Sequence, residues 1–362
     1  MDKNVKIDLQ DDHLRRMMRL YEGPRHSVVG MTFSNGHPRY FHTGHRPSDV
    51  AIENQIFEIG SVTKVFTAIL LCVLIEEGEV DPHAPLSEMS DVLSDVPAWI
   101  TPERLISHTS GLPNLYIPIW KALFQQQPEG PYASFSRTDL LAWLAQWHGK
   151  DCKTNLKHRY SNLGFGLLGE AMAIQQSKSF AALLAEKVID PLGLKDTYGS
   201  PDDDQQIRFM QPRSTSGVPV MPWAFDAWAG AGFLRSTAQD MGCFASRIID
   251  AINEPKTMID RAIVRSAEPV FGLGRNGHAR PIAQCSGWMR MQSGEADPTM
   301  LFANGGTAGS TCTLSIYSET KRASAILSNN GVAANLWANA KLSWANPTQK
   351  AYDYLTQILE MG

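Results

Sequence analysis

The apolar run at residues 59–75 restricts the fold of this chain more than any other segment. It contains one charged residue, Lys64, and three glutamates within residues 76–79 close it. A membrane-spanning helix needs about 20 apolar residues, so the run is too short for one and predicts a buried helix instead. Gly60 and Gly78 stand where such a helix would begin and end.

Lys64 is an unusual residue for the first turn of a buried helix. Burying an ammonium group without a partner costs several kcal/mol by rough estimate, so such a lysine finds a counter-charge or loses its proton. Ser61 lies three residues earlier, on the same helix face, and a lysine amine with a lowered pKa can accept the proton of a serine hydroxyl. A surface lysine beside an N-capping serine is the competing interpretation, which the short Ser-x-x-Lys pattern alone does not exclude.

Composition limits the classes of function. The chain has 362 residues, 43% of them hydrophobic, and a net charge of −4, which suits one large domain or two. Because the charges are mixed in sign without a long basic run, we expect no nucleic-acid partner. The polar, acidic start predicts a cytoplasmic protein, unless a leader has been removed, and no membrane segment is expected. The five scattered cysteines predict neither a disulfide framework nor a zinc site.

Strand signals cluster at both ends of the chain. Two alternating runs flank a turn at residues 34–36 and predict a hairpin, and short strand-like runs return after residue 268, before a last helix near 347–360. Helical periodicity dominates between them. We therefore predict an α+β fold in which residues 1–80 and 263–362 share one sheet, while residues 81–262 form a mainly helical domain.

Two further segments carry groups that catalysis can use. Tyr160 and Asn162 precede a helix with small residues; a tyrosine beside a lysine can hold a phenolate or pass a proton, and an asparagine amide can orient lysine and substrate. A packed tyrosine at a helix cap is the other interpretation. Gly305 and Gly306 lie between two strand-like runs, where a strand N–H can act as an oxyanion donor, although a plain turn explains them equally well.

In combination and in order, these segments resemble the serine β-lactamase and penicillin-binding-protein superfamily, in particular its class C-like branch of esterases, D-amino peptidases and lactamases. The resemblance covers about residues 26–330. FEIGSVTK resembles the nucleophile motif and YSNLGFGLLGE the second catalytic motif, and further family segments are matched in the same order by LISHTSGLP, DPLGLKDTYG, AGAGFLRSTAQDM and FGLGR.

The resemblance implies a β-lactamase/transpeptidase-like fold: an antiparallel sheet from both chain ends, flanked by helices, with the active site in the cleft beside a helical domain. It implies Ser61 as the nucleophile, Lys64 as its proton acceptor and Tyr160 as the proton shuttle. Asn162 would position Lys64 and the substrate. The backbone N–H groups of Ser61 and Gly306 would form the oxyanion hole.

One position departs from the family pattern. In the third motif the family has Lys, His or Trp where this chain has Ala303, and alanine cannot donate a charge-assisted hydrogen bond to a substrate carboxylate. Losing such a bond weakens binding by about 1.5 to 3 kcal/mol, so efficient β-lactam turnover is not expected. Arg275 and Arg290 are candidates to replace the missing cation.

The sequence therefore predicts a serine hydrolase that works through an acyl-enzyme, first of all a carboxylesterase acting on small esters with a neutral or hydrophobic acyl group. The aromatic segment MPWAFDAWAG at 221–230 could line its cleft, although core packing explains most aromatic residues of the helical part. The alternatives are an acyltransferase to a small-molecule acceptor, a β-lactamase or D-amino peptidase-type amide hydrolase, and a catalytically silent binding protein.

No cofactor or metal is predicted. The G-x-G-x-x-G match at 272–277 has no apolar helix after it and no acidic residue at the right distance, which disfavours dinucleotide binding. His42 and His45 could suggest a metal-binding pair, but they stand at a predicted strand end, and the chain has no H-E-x-x-H motif, so no metal site is assigned to them. His108 belongs to a loop and is interpreted as structural. A small-molecule substrate is the expected partner, and the oligomeric state is not predicted.

Overall fold

The computed structural model describes residues 3–34, 36–46, 49–117, 129–130, 132–149, 156–275, 281–291 and 298–331. Its β-strands are β1 (Ser27–Ser34), β2 (His37–Gly44), β3 (Ile56–Glu58), β4 (Arg235–Thr237), β5 (Pro269–Arg275), β6 (Pro281–Cys285), β7 (Met289–Met291), β8 (Met300–Gly306), β9 (Thr311–Tyr317) and β10 (Arg322–Ser328). Its α-helices are α1 (Lys3–Met18), α2 (Thr63–Glu76), α3 (Pro102–Ile106), α4 (Arg137–Gln146), α5 (Asn162–Gln175), α6 (Phe180–Leu184), α7 (Asp190–Leu192), α8 (Asp203–Arg208), α9 (Ala229–Gly232), α10 (Ala238–Asn253) and α11 (Met258–Ala267).

One antiparallel sheet joins the two ends of the chain. Its eight strands follow the order β2-β1-β10-β9-β8-β7-β6-β5, and the two ends meet where β1 pairs with β10, with Val28 opposite Ser328. The predicted hairpin is confirmed as β1–β2, with Gly36 at φ 87° in its turn. The predicted α+β class with a shared sheet is therefore confirmed.

Helix α2 is the predicted buried helix. Residues 63–74 are all buried, so other elements enclose the helix on every side, and Lys64 is the one charged residue among them. A 3₁₀ turn (Gly60–Val62) precedes it and carries Ser61. Gly78 follows the end of the helix at Glu76; its φ of 77° suits glycine, and its N–H donates to the carbonyl of Ile75 at 3.0 Å.

Glycines bring α5 and α9 into backbone contact beside α2. A Cβ at Gly230 would lie 2.5 Å from the carbonyl oxygen of Phe165, and a Cβ at Gly166 would lie 2.8 Å from that of Ala227. No real side chain tolerates such distances. The close approach seats α9 at the start of α2, which places backbone carbonyls of α9 next to Lys64 and Thr67.

The predicted division into two domains stays a prediction. Helix α10, which the sequence assigned to the helical domain, packs against β1 and β10 of the sheet. The last predicted helix, near 347–360, lies outside the described residues. Among the described helices, none has both the length and the apolar character that crossing a membrane requires.

Candidate active site

Three side chains predicted to act together meet at the start of α2. The amine Nζ of Lys64 lies 2.9 Å from Oγ of Ser61, and the hydroxyl of Tyr160 lies 2.8 Å from the same oxygen. Tyr160 lies in the segment just before α5. It is 99 residues further along the chain than Ser61. One hydroxyl thus contacts both a potential base and a potential acid.

Lys64 is held in an uncharged environment. The residue is 2% exposed, and its other hydrogen-bond partners among the described residues are Oδ1 of Asn162 and the carbonyl of Ala231, both at 2.7 Å. Burial lowers the pKa of Lys64 well below its ordinary value. A neutral amine has two N–H groups and one lone pair; because these two oxygens can only accept, they take the N–H groups and leave the lone pair for the Ser61 hydroxyl.

Tyr160 is a phenol rather than a phenolate in this site. Although the residue is 41% exposed, burial around its hydroxyl raises the pKa of Tyr160 to about 12, and the hydrogen bond with Ser61 only partly opposes that shift. The pKa of Lys64 is therefore lowered and that of Tyr160 is raised, which favours lysine as the base and tyrosine as the acid.

Asn162 is the first residue of α5 and faces Lys64. The hydroxyl of Ser161 caps this helix by accepting from the N–H of Gly164 at 2.8 Å. The amide of Asn162 accepts from Lys64 through Oδ1 and donates through Nδ2 to the hydroxyl of Tyr132 at 3.0 Å. Tyr132 fixes the orientation of this amide, and no sequence signal pointed to it.

The backbone of β8 lies directly against the nucleophile turn. A Cβ at Gly60 would lie 2.5 Å from the backbone nitrogen of Gly306, and a Cβ at Gly305 would lie 2.5 Å from the backbone nitrogen of Ser61. Glycine is required at both positions, and Gly60 also has a φ of 50°. The arrangement brings together the two residues whose N–H groups are predicted to form the oxyanion hole.

His108 has a structural position, as the sequence suggested. Its Nδ1 accepts from the N–H of Ser161 at 3.1 Å, and its carbonyl accepts from the N–H of Arg159 at 2.7 Å. Burial lowers the pKa of His108 well below its ordinary value. It therefore supports the segment that presents Tyr160.

Comparison with known proteins gives this geometry a context. A model of the Beta-lactamase family matches residues 11–342. The chain belongs to that family. A D-alanyl-D-alanine-carboxypeptidase/endopeptidase, AmpH of Escherichia coli (strain K12), is 27% identical over 273 residues, which cover 71% of this chain and 66% of that protein. A Beta-lactamase of Providencia stuartii is 26% identical over 252 residues, covering 68% of this chain and 61% of that protein.

Solved structures agree with the Beta-lactamase family assignment at the level of fold. The crystal structure of a class C beta lactamase from Rhodobacter sphaeroides has a TM-score of 0.73 at 19% identity, with 99% of this chain and 100% of that chain covered. The predicted resemblance and fold are confirmed. The chain spans less than two thirds of the length of the two curated relatives, 66% and 61%.

The third-motif position of the family carries no cation here. Ala303 lies on the same face of β8 as Gly305, two residues before it, and is 6% exposed within the main core. Arg290 in β7 lies opposite Leu301. Leu301 is further from the nucleophile turn along β8 than Ala303 is, because the two glycines that end β8 are the residues that lie against this turn. Within the described residues, no hydrogen bond joins Arg290 to the three catalytic candidates. Arg275 is the last residue of β5.

Three aromatic rings form a wall beside this site, which we call the aromatic wall: Tyr132, Trp223 and Phe225. Tyr132 stacks on Phe225 with ring centroids 5.2 Å apart, and Trp223 meets Tyr132 edge-on at 5.2 Å. Phe225 also contacts α9, since a Cβ at Gly232 would lie 3.1 Å from its Cζ. Trp223 and Phe225 are only partly buried, so part of each side chain is exposed to solvent.

Proposed function

We propose that this protein is a serine hydrolase that forms an acyl-enzyme on Ser61, and that its substrates are small carboxylic esters with a neutral or hydrophobic acyl group. The observation that carries the proposal is the contact of one serine hydroxyl with a buried lysine amine and a tyrosine phenol. Membership of the Beta-lactamase family supports the hydrolase class.

Acylation follows from the protonation states of the site. Neutral Lys64 removes the proton of the Ser61 hydroxyl, and the freed oxygen attacks the ester carbonyl. The negative charge that develops on the carbonyl oxygen is stabilised by the N–H groups of Ser61 and Gly306. Tyr160 donates its phenolic proton to the departing alkoxide, which leaves as an alcohol, and the phenolate then takes up the proton that Lys64 received.

Deacylation uses the same groups in the reverse order. Water enters where the alcohol left and attacks the acyl carbonyl, and its proton passes through the Tyr160 hydroxyl to neutral Lys64. The carboxylic acid is released as Ser61 regains its proton. Asn162 keeps the Lys64 amine in place through both halves of the reaction, because its Oδ1 is a fixed acceptor for one N–H.

Two features support a neutral or hydrophobic acyl group. The aromatic wall has two partly exposed members, Trp223 and Phe225, which pack on Tyr132. Tyr132 in turn accepts a hydrogen bond from Asn162. Aromatic surface of this kind suits an apolar or aryl substituent. Ala303 offers no charge for a substrate carboxylate at the third-motif position. Ester cleavage also needs less assistance for its leaving group than amide cleavage, so it tolerates this change better.

Amide hydrolysis is the second candidate, favoured by the relatives. One matched protein is named a D-alanyl-D-alanine-carboxypeptidase/endopeptidase and another a Beta-lactamase. A substrate panel separates the candidates: p-nitrophenyl acetate, p-nitrophenyl phenylacetate, nitrocefin and D-alanine p-nitroanilide. We expect the phenylacetate ester to give the highest kcat/KM. Nitrocefin turnover at about 10 per second or faster would contradict the ester preference, and inactivity on every substrate would favour a silent binding protein.

A further inference from the structure

Glu58 is a buried carboxyl group that the proposed mechanism does not use. It is the last residue of β3, two residues before Gly60, and it is 3% exposed. Its Oε1 accepts a hydrogen bond from the backbone N–H of Trp223 at 2.7 Å, and its Oε2 accepts one from the hydroxyl of Thr307 at 2.5 Å. One side chain therefore joins the strand before the nucleophile to the aromatic wall and to the end of β8.

The bond from Thr307 has one possible direction. Its Oγ1 accepts from the N–H groups of Gly309 at 3.3 Å and Ser310 at 3.1 Å, which occupies both lone pairs of the hydroxyl. Its proton is left for Glu58, so Glu58 must be the acceptor. Because Thr307 follows Gly306 directly, this bond holds the part of the backbone that carries the Gly306 N–H.

The backbone of Trp223 is held at both its N–H and its carbonyl. Glu58 and Arg235 are cross-strand partners in the β3–β4 pair; Glu58 accepts from the N–H of Trp223, and Arg235 donates to its carbonyl at 3.3 Å. Burial raises the pKa of Glu58, while the bond from Thr307, the charge of Arg235 and the Trp223 N–H act against that shift. All of these neighbours favour a carboxylate that accepts at both oxygens.

We infer that Glu58 is a positioning residue that sets the oxyanion hole and the aromatic wall together, an inference that rests on the proposed function. A buried carboxylate does this better than an amide. A glutamine at position 58 would present an N–H₂ group either to the Trp223 N–H, which is a donor, or to Thr307, whose lone pairs are already used. One of the two attachments would be lost.

The test compares p-nitrophenyl phenylacetate with its thionoester, in which sulfur replaces the carbonyl oxygen. Backbone N–H groups bond sulfur more weakly than oxygen, so an intact oxyanion hole favours the ester. We expect Glu58→Gln to lower the ester-to-thionoester ratio of kcat/KM about tenfold or more. It should also reduce the preference for phenylacetyl over acetyl esters. A residue with a purely structural role would lower all these rates without changing their ratios.

Thr307 variants and a surface control complete the design. Thr307→Val should lower the ester-to-thionoester ratio but keep the acyl preference, and Thr307→Ser should keep both. Glu88→Gln, at an exposed glutamate, should match the wild type. Thermal melting checks that each variant is folded. If Glu58→Gln does not fold, the ester-to-thionoester ratio of Thr307→Val is the test of the inference. A folded Glu58→Gln or Thr307→Val protein with the wild-type ratio would overturn the inference, whereas a wild type that is never acylated at Ser61 would contradict the proposed function instead.

Discussion

At the scale of single residues, the site depends on burial acting differently on two groups. Burial disfavours the charged form of each. For Lys64 this means a lowered pKa and a neutral amine, and for Tyr160 it means a pKa of about 12 and a neutral phenol. The Ser61 hydroxyl thereby contacts both a base and an acid. No carboxylate is among the hydrogen-bond partners described for Lys64, so burial is not offset by a counter-charge there.

The pH dependence of kcat/KM should reflect Lys64. Below its pKa the amine is protonated and cannot accept the Ser61 proton, so activity should fall as the pH is lowered through that value. Because this pKa lies well below 10.5, the fall should begin far below the pH at which an ordinary lysine titrates. Tyr160 stays protonated up to about pH 12, so activity should be level between the two. Initial rates corrected with Ser61→Ala measure this, and a steady rise up to pH 10 would speak against it.

Removal of the Tyr160 hydroxyl should affect esters according to their leaving group. An alkoxide needs a proton in order to leave, whereas p-nitrophenolate does not. General acid catalysis contributes about 10²- to 10⁴-fold, so Tyr160→Phe should reduce kcat/KM, which reports acylation, about 100-fold or more with an ethyl ester and clearly less with the p-nitrophenyl ester of the same acid. Steady-state kinetics with both esters would test this, and equal losses would show that Tyr160 is not the acid.

At the scale of elements, one short segment supplies two parts of the site. The loop before α9 carries Trp223 and Phe225, and α9 itself presents the Ala231 carbonyl to Lys64. The glycine contacts between α5 and α9 fix this segment against the helix that carries Asn162. One segment therefore holds both the proposed acyl-binding surface and a hydrogen-bond partner of Lys64.

The aromatic wall should set the acyl preference. Burying a phenylalanine side chain is worth about 1.5 to 3 kcal/mol, so Phe225→Ala should lower kcat/KM for p-nitrophenyl phenylacetate about tenfold relative to p-nitrophenyl acetate. Trp143→Ala is the matched control, because Trp143 lies in α4 and stacks on Trp147 with centroids 5.9 Å apart. It should leave the ratio of the two rates unchanged. A larger change for Trp143→Ala would place the acyl group at the other aromatic cluster.

At the scale of the whole molecule, the neutral lysine has a cost in stability that depends on pH. The unfolded lysine has a pKa of about 10.4, whereas the folded one titrates well below its ordinary value. Between these two values the unfolded state binds one more proton, so folding stability rises with pH, by up to about 1.4 kcal/mol per pH unit.

Lys64→Met lacks this titration and provides the comparison. Denaturant unfolding of both proteins at several pH values from 6 to 10 should show the wild type gaining stability relative to Lys64→Met as the pH rises. Parallel pH profiles for the two proteins would mean that Lys64 keeps an ordinary pKa in the folded state.

Much of the fold and part of the site were predictable from the sequence. The apolar run with its lysine indicated a buried helix, and the spacing of three residues indicated that Ser61 and Lys64 meet. Tyr160, Asn162 and Gly306 were found through the family resemblance, because their partners lie about 100 residues or more away in the chain.

Other contacts had no sequence signal. The Ala231 carbonyl is a backbone group, which any residue could provide. Glu58 stands within the nucleophile motif, yet its partner Thr307 is 249 residues away, and periodicity says nothing about such pairs. Tyr132 likewise depends on the path of the chain before α4. The cytoplasmic location and the boundary between the two predicted domains stay predictions.

The central claim is that the Ser61 hydroxyl is activated by neutral Lys64, and covalent labelling tests it most directly. The protein would be treated with a fluorophosphonate, and the intact mass and the labelled peptide determined for the wild type, Ser61→Ala and Lys64→Met. We predict one adduct per chain on Ser61 in the wild type, none in Ser61→Ala, and labelling slowed at least 100-fold in Lys64→Met. An unlabelled wild type, or rapid labelling of Ser61 in the absence of Lys64, would contradict the claim.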